Sequence, residues 1–168
     1  IEDLMLLANR KVAEFVSKIV KNAAKRFVYR VHDIPDQEKI QQLKNFLAPL
    51  GYQLPTGRDG RVSSRALNRL LQETAGTPEQ NIVNTVMMRS MAKAVYSTTN
   101  IGHYGLAFAH YAHFTSPIRR YPDVMVHRLL DYYLRGKTPS QEMLQEYDRL
   151  ALHASERELV AQDAERDS

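Results

Sequence analysis

The chain has 168 residues, 43% hydrophobic and 25% charged, a composition that suits one folded domain with a real core. It has no cysteine, so disulfides, a disulfide-linked partner and thiolate metal sites are excluded, and the usage fits a reducing compartment; the cytoplasm is the expected location. No apolar run is long enough to span a membrane, no secretory signal pattern opens the chain, and the formal charge of +4 is compatible with a polyanionic partner.

The opening "IEDLMLLANRKVAEFV" is already in helical rhythm. Leu4, Ala8, Val12, Phe15, Val16 and Ile19 mark one face of a first helix over residues 2–23. "RFVYRVH" alternates and predicts a short strand. Residues 33–52 predict a helix with Pro35 near its first turn and Gly51 past its end. "QLPTGRDGR" is a loop, and residues 63–74 predict a third helix stopped at Gly76. Thr77-Pro78-Glu79-Gln80 has the order of a capped helix start, and that helix is expected to reach about Ala94. "YGLAFA" predicts a second short strand. With so few strands, both are expected to join a sheet completed outside this chain. Pro122 fits a helix starting near Tyr121, and Thr138-Pro139-Ser140-Gln141 opens the last helix. The fold class is therefore mainly α with a few short β-strands. Neither end carries a start or stop signal, so both read as cuts in a larger protein.

The chemistry concentrates in "HYAHFTSPIRRYPDVMVHRLL", residues 110–130. Arg119 and Arg120 stand between Pro117 and Pro122, just before a helix start, where positive charge is disfavoured by the macrodipole. Free N–H groups and two guanidinium forks would make this a phosphate site. Charge placement alone equally allows Asp123 to pair with Arg119, four residues earlier. His103, His110, His113 and His127 form no recognised metal motif, and the acids are too scattered for a hard cation. Tyr104, Phe108, Tyr111 and Phe114 offer base-stacking platforms, although a core role is favoured for them.

The segment "HYGLAFAHYAHFTSPIRRYPDVMVHR" resembles the signature of the RNB family, processive 3'-to-5' exoribonucleases related to ribonuclease II and ribonuclease R. "HFTSPIRRYPD" favours the ribonuclease R branch, and "IEDLMLLAN" and "MMRSMAKAVYSTTNIGH" are similar to other family segments. The resemblance covers essentially all of residues 1–168 and implies the C-terminal part of the α+β RNB catalytic domain. It implies hydrolysis of single-stranded RNA to nucleoside 5'-monophosphates with magnesium, as part of a full-length enzyme. By the same resemblance Arg119 is catalytic, contacting phosphate near the scissile bond, and Glu2 reads a terminal ribose. Ser116 and Arg120 line the same RNA-binding pocket. Asp3 departs from the second glutamate more usual in the family. The family's metal-binding aspartates lie outside this stretch. No metal ligand is therefore expected within it, the chain alone is expected to be inactive, and it should contact the remaining parts of its own catalytic domain. The competing expectation is a noncatalytic helical module that binds RNA or protein.

Overall fold

A computed structural model describes residues 1–167. Six helices and two short strands follow in the order α1 (Glu2–Ile19), β1 (Tyr29–Val31), α2 (Gln37–Leu47), α3 (Ser64–Thr74), α4 (Gln80–Ser90), β2 (Val95–Ser97), α5 (Tyr121–Leu134) and α6 (Gln141–Asp167). The mainly helical expectation holds. No helix among the described residues is long and apolar enough to cross a membrane.

The chain forms two compact units. The first comprises residues 1–32, 94–103 and 108–167 of the described chain. Its core gathers Ala13 and Val16 of α1, Phe27, Val28, Tyr29 and Val31 around β1, and Met125, Val126 and Leu129 of α5. Tyr147 joins them from α6, whose buried residues Tyr147, Ala151 and Ser155 recur every fourth position and so share one face. β1 pairs antiparallel with β2, Arg30 opposite Tyr96. β1 thus has a partner strand inside the chain, β2, which the sequence reading did not single out.

The second unit comprises residues 33–93 and 104–107. Ile40, Leu43 and Leu47 of α2, Leu67 and Leu70 of α3, and Val83 and Met87 of α4 form its core. Asp36 caps α2 by accepting from the Glu38 and Lys39 N–H groups, so Pro35 precedes the cap rather than entering the first turn. Gly51 closes the following turn at φ +82°, a left-handed conformation that costs glycine little. Ser63 caps α3 by accepting from the Ala66 N–H at 3.2 Å.

Several expected boundaries move. α1 stops at Ile19, and its core face is Asn9, Ala13 and Val16; Leu4, Phe15 and Ile19 are exposed. Thr77 does not cap α4, because its hydroxyl donates back to the Thr74 carbonyl at 2.7 Å. α4 ends at Ser90, since the residues up to 94 lead instead into β2. The last helix starts at Gln141, with Ser140 rather than Thr138 accepting from the Met143 N–H at 3.1 Å. "YGLAFA" is not a strand: Tyr104–Leu106 is a single 3-10 turn, and Ala107 adopts φ +56°. His103 and Phe108 exchange backbone hydrogen bonds at 2.8 and 3.2 Å, which closes the segment into a loop.

Candidate RNA-phosphate site

The arginine turn is built by backbone first. The Arg119 and Arg120 N–H groups both donate to the Ser116 carbonyl, at 3.2 and 3.1 Å. The Asp123 N–H donates to the Arg120 carbonyl at 3.2 Å. These three N–H groups are therefore already used, and at those positions the turn offers an anion its side chains instead.

Asp123 lies in the first turn of α5 and is fully buried. One of its oxygens accepts from the Ser116 N–H at 2.8 Å and from Arg120 Nη2 at 2.9 Å. Its other oxygen lies 2.9 Å from Arg120 Nε, close enough to pair although the hydrogen-bond alignment is poor. The charge partner of Asp123 is thus Arg120, not Arg119. The two arginines are not equivalent. Arg120 is half-buried and neutralised from within; Arg119 is exposed, and no carboxylate among the described residues pairs with it. Ile118 beside it is fully exposed. The helix start tolerates two guanidinium groups because Asp123 balances one, and the other projects from the turn ahead of the helix.

The strand-like segment feeding the turn is pinned at several points. Asn9 of α1 accepts from the Phe114 and Thr115 N–H groups at 2.9 and 3.1 Å, and its amide donates to the Tyr111 hydroxyl at 3.2 Å. The Arg30 N–H donates to the Tyr111 carbonyl at 3.0 Å. His127 Nε2–H donates to the Phe114 carbonyl at 2.8 Å, and the two rings stack 4.1 Å apart. Tyr111 is core, as favoured above, while Phe108 is half-buried with Arg10 4.7 Å over its ring. Tyr104 is half-buried in the second unit, where its hydroxyl donates to the Val62 carbonyl at 2.7 Å.

Behind the segment sits a second group that sequence reading missed. Arg30 pairs with Glu158 of α6 through two contacts of 2.7 and 3.0 Å, and its guanidinium lies 4.5 Å over the Tyr96 ring. The Tyr96 hydroxyl is 2.9 Å from His113 Nδ1. Burial, then the charges of Arg120, Arg30, His103 and Arg119, push His113 down to about 3. Burial, His32 and Arg30 push His103 down to about 4. Burial raises the Tyr96 phenol to about 12. Both imidazoles are thus neutral in the folded chain near neutral pH.

That neutrality has a pH signature. Below the ordinary value of 6.5 the unfolded chain takes up protons that the folded chain refuses until about 4 at His103 and about 3 at His113. Stability is therefore full above pH 6.5 and is lost as pH falls below it. The melting temperature is expected to decline between pH ~6.5 and ~5, above the range of ordinary carboxylates. The double variant His103→Gln/His113→Gln should flatten that limb. A wild-type melting temperature constant over this range contradicts the assignment.

The structure gathers Ser116, Arg119 and Arg120 into one turn around Asp123. Glu2 is in the first turn of α1, exposed, and touches none of them through any contact among the described residues. It precedes Asn9 by two helical turns, so it shares the Asn9 face at a rise of about 10 Å. Among the described residues no group of three or more His, Cys, Asp or Glu is placed to hold a metal ion. With Asp123 committed to Arg120 and Ser116, the residues present do not fit magnesium.

The sequence profile described as the RNB domain matches residues 1–136. The chain is 42% identical over 166 residues to a protein named Ribonuclease R from Aquifex aeolicus, covering 98% of this chain and 23% of that protein. It is 40% identical over 181 residues to Ribonuclease R of Escherichia coli, covering 99% of this chain and 21% of that one. Among solved structures it is similar to Mycoplasma genitalium RNase R in complex with ribose methylated single-stranded RNA. There the TM-score is 0.86 at 32% identity, over 99% of this chain and 26% of that one. The chain therefore spans about a quarter of the length of these relatives. With the profile matched over most of its length and the arginine turn inside the match, the chain belongs to the RNB domain family.

Proposed function

We propose that this chain is the C-terminal portion of the catalytic domain of a processive 3'-to-5' exoribonuclease. The enzyme hydrolyses single-stranded RNA to nucleoside 5'-monophosphates in the cytoplasm. The observation that carries the reading is the unequal arginine pair: Asp123 neutralises Arg120, and Arg119 is left exposed on a turn that five residues hold in place. A guanidinium in that state binds a phosphate oxygen without first breaking an ion pair. Family membership and likeness to proteins named Ribonuclease R support the substrate class. So does the RNase R structure containing single-stranded RNA.

In this reading Arg119 is the catalytic residue of the chain. It holds the phosphate at the scissile bond and opposes the charge that grows on it. Ser116 and Arg120 shape the pocket wall, and Arg120 acts mainly by keeping the turn closed on Asp123. Magnesium belongs to residues outside this chain, as do the acids that hold it, so the chain alone has binding elements without the full chemistry. The remainder of the catalytic domain is its expected structural partner.

The test uses RNA labelled at its 3' end, incubated with the native protein and magnesium. Labelled nucleoside 5'-monophosphate should appear first, while the 168-residue chain alone releases none. Release of internal fragments, or of 3'-phosphates, contradicts the reading.

Glu2 gives a second check. A carboxylate accepts from a 2'-hydroxyl, the group that separates RNA from DNA. Glu2→Ala in the native protein should therefore narrow the preference for RNA over DNA 3' ends. If Glu2 only favours the start of α1, the change costs ~0.3–1 kcal/mol of stability and leaves sugar preference intact.

A further inference from the structure

A line of contacts runs from α6 to the arginine turn. Glu158 holds Arg30 through two contacts, Arg30 lies over the Tyr96 ring, and the Tyr96 hydroxyl meets His113 three residues before Ser116. Tyr96 is held at its backbone as well: its N–H donates to the Ser155 hydroxyl of α6 at 2.9 Å. Tyr96 is buried and the Arg30 side chain only 12% exposed, so the line is internal rather than a surface network. α6 begins after residue 136, where the matched RNB domain ends, so these contacts reach His113, three residues before the turn, from outside the matched region.

Resting on the function proposed above, we infer that Tyr96 and His113 are positioning residues for the phosphate-facing turn. The Tyr96 hydroxyl holds the His113 ring in one tautomer and one orientation, and through that ring α6 helps fix where Arg119 stands. The arrangement we infer has the phenol as donor and the imidazole Nδ1 as acceptor. A buried neutral phenol donates; Nδ1 of a neutral imidazole accepts; the single imidazole proton then stays on Nε2. Asn9 and His127 fix the backbone on either side of Phe114, but neither touches the His113 side chain. The Tyr111 ring meets it edge-on, 5.7 Å between centroids, and the Tyr96 hydroxyl supplies the hydrogen bond that orients its nitrogens. Loss of that bond lets His113 turn among Arg30, Arg119 and Arg120, all of which bear on it electrostatically.

Tyr96→Phe tests this with little packing change, because the ring keeps its place beneath Arg30. Single-turnover RNA hydrolysis by the native protein is expected to slow by roughly 10- to 100-fold, the scale of a misplaced reacting group, with RNA affinity unchanged. His113→Ala should do the same. His113→Asn should recover part of the loss, since its side-chain oxygen can still accept from Tyr96. Protein labelled with 15N at histidine and arginine supplies a readout independent of activity. Wild-type His113 should carry its proton on Nε2, and Tyr96→Phe should shift the Arg119 and Arg120 Nε resonances. Unmoved arginine resonances overturn the inference, as does a wild-type proton on Nδ1. So does a rate loss in His113→Ala that His113→Asn leaves wholly unrepaired while its melting temperature matches wild type. Wild-type protein that fails to hydrolyse RNA while the resonances behave as expected overturns the proposed function and leaves the positioning role standing.

Discussion

Replacing Arg119 by alanine in the native protein is expected to lower the single-turnover rate by roughly 100- to 1,000-fold, the usual result of losing one positioned charge-stabilising donor (about 2.7–4 kcal/mol). RNA affinity should change far less. Affinity for a single strand is spread over many backbone phosphates and stacked bases, so one lost contact is a small share. The rate is different, because in the proposed function negative charge grows on the transferring group and Arg119 meets it only there. Arg119→Lys should recover part of the loss: the ammonium keeps the charge but not the planar fork. Folding should be indifferent, since Arg119 is exposed and Asp123 is bound to Arg120. A titration, a single-turnover time course and a melting curve separate these effects. Near-normal turnover in Arg119→Ala removes the arginine from the mechanism and leaves "SPIRRYPD" a stiff structural turn.

Asp123→Ala should behave in the opposite way, with its largest effect on stability. The carboxylate is fully buried and holds both Arg120 and the Ser116 N–H. Its removal strands a half-buried guanidinium and a backbone donor. Breaking a buried pair in this manner costs about 3–5 kcal/mol. For a chain of this size that corresponds to a fall of roughly 6–20 °C in melting temperature. Asp131→Ala is the internal control. Asp131 also pairs with an arginine, Arg135, at 3.1 Å, but both side chains are more than half exposed, so the expected cost is ~0–1 kcal/mol. Equal melting temperatures for the two variants would mean that Asp123 does not close the turn. Where Asp123→Ala is still folded, its turnover should fall with that of Arg119→Ala, because an open turn no longer presents the guanidinium.

The sequence made the arginine turn visible because its signals are local. Two prolines, adjacent arginines and an acid three residues on are enough to place a turn and a helix start. The pairing inside it was not local knowledge. Asp123 is three residues from Arg120 and four from Arg119, both compatible with a helical pair, and only burial of the carboxylate against Arg120 decides. Asn9 was hidden for a related reason: a polar residue on a helix reads as solvent-facing until the segment it holds, more than 100 residues away, is in place. The brace from Glu158 through Arg30 to Tyr96 spans 128 residues at its first link and carries no periodic signature.

The fold divided along the same line. α2 and α3 were legible as helices with their glycine stops, while the Asp36 and Ser63 caps came with the structure. α1 was legible as a helix, but its apolar residues lie on two faces, and periodicity alone selected some that stay exposed. β2 has only three residues, too few for an alternating pattern, and exists because β1 pairs with it. "YGLAFA" shows the converse, an alternating run that becomes a loop once His103 bonds to Phe108 and Ala107 turns left-handed.

The most direct test of the account is a structure of the native protein holding single-stranded RNA with an uncleavable bond at its 3' end. An oxygen of the terminal scissile phosphate is expected about 2.7–2.9 Å from the Arg119 guanidinium, a charge-assisted contact. Asp123 should still be closed on Arg120. An RNA 3' end bound elsewhere, or Arg119 turned into solvent with the terminal phosphate held by other groups, would contradict it.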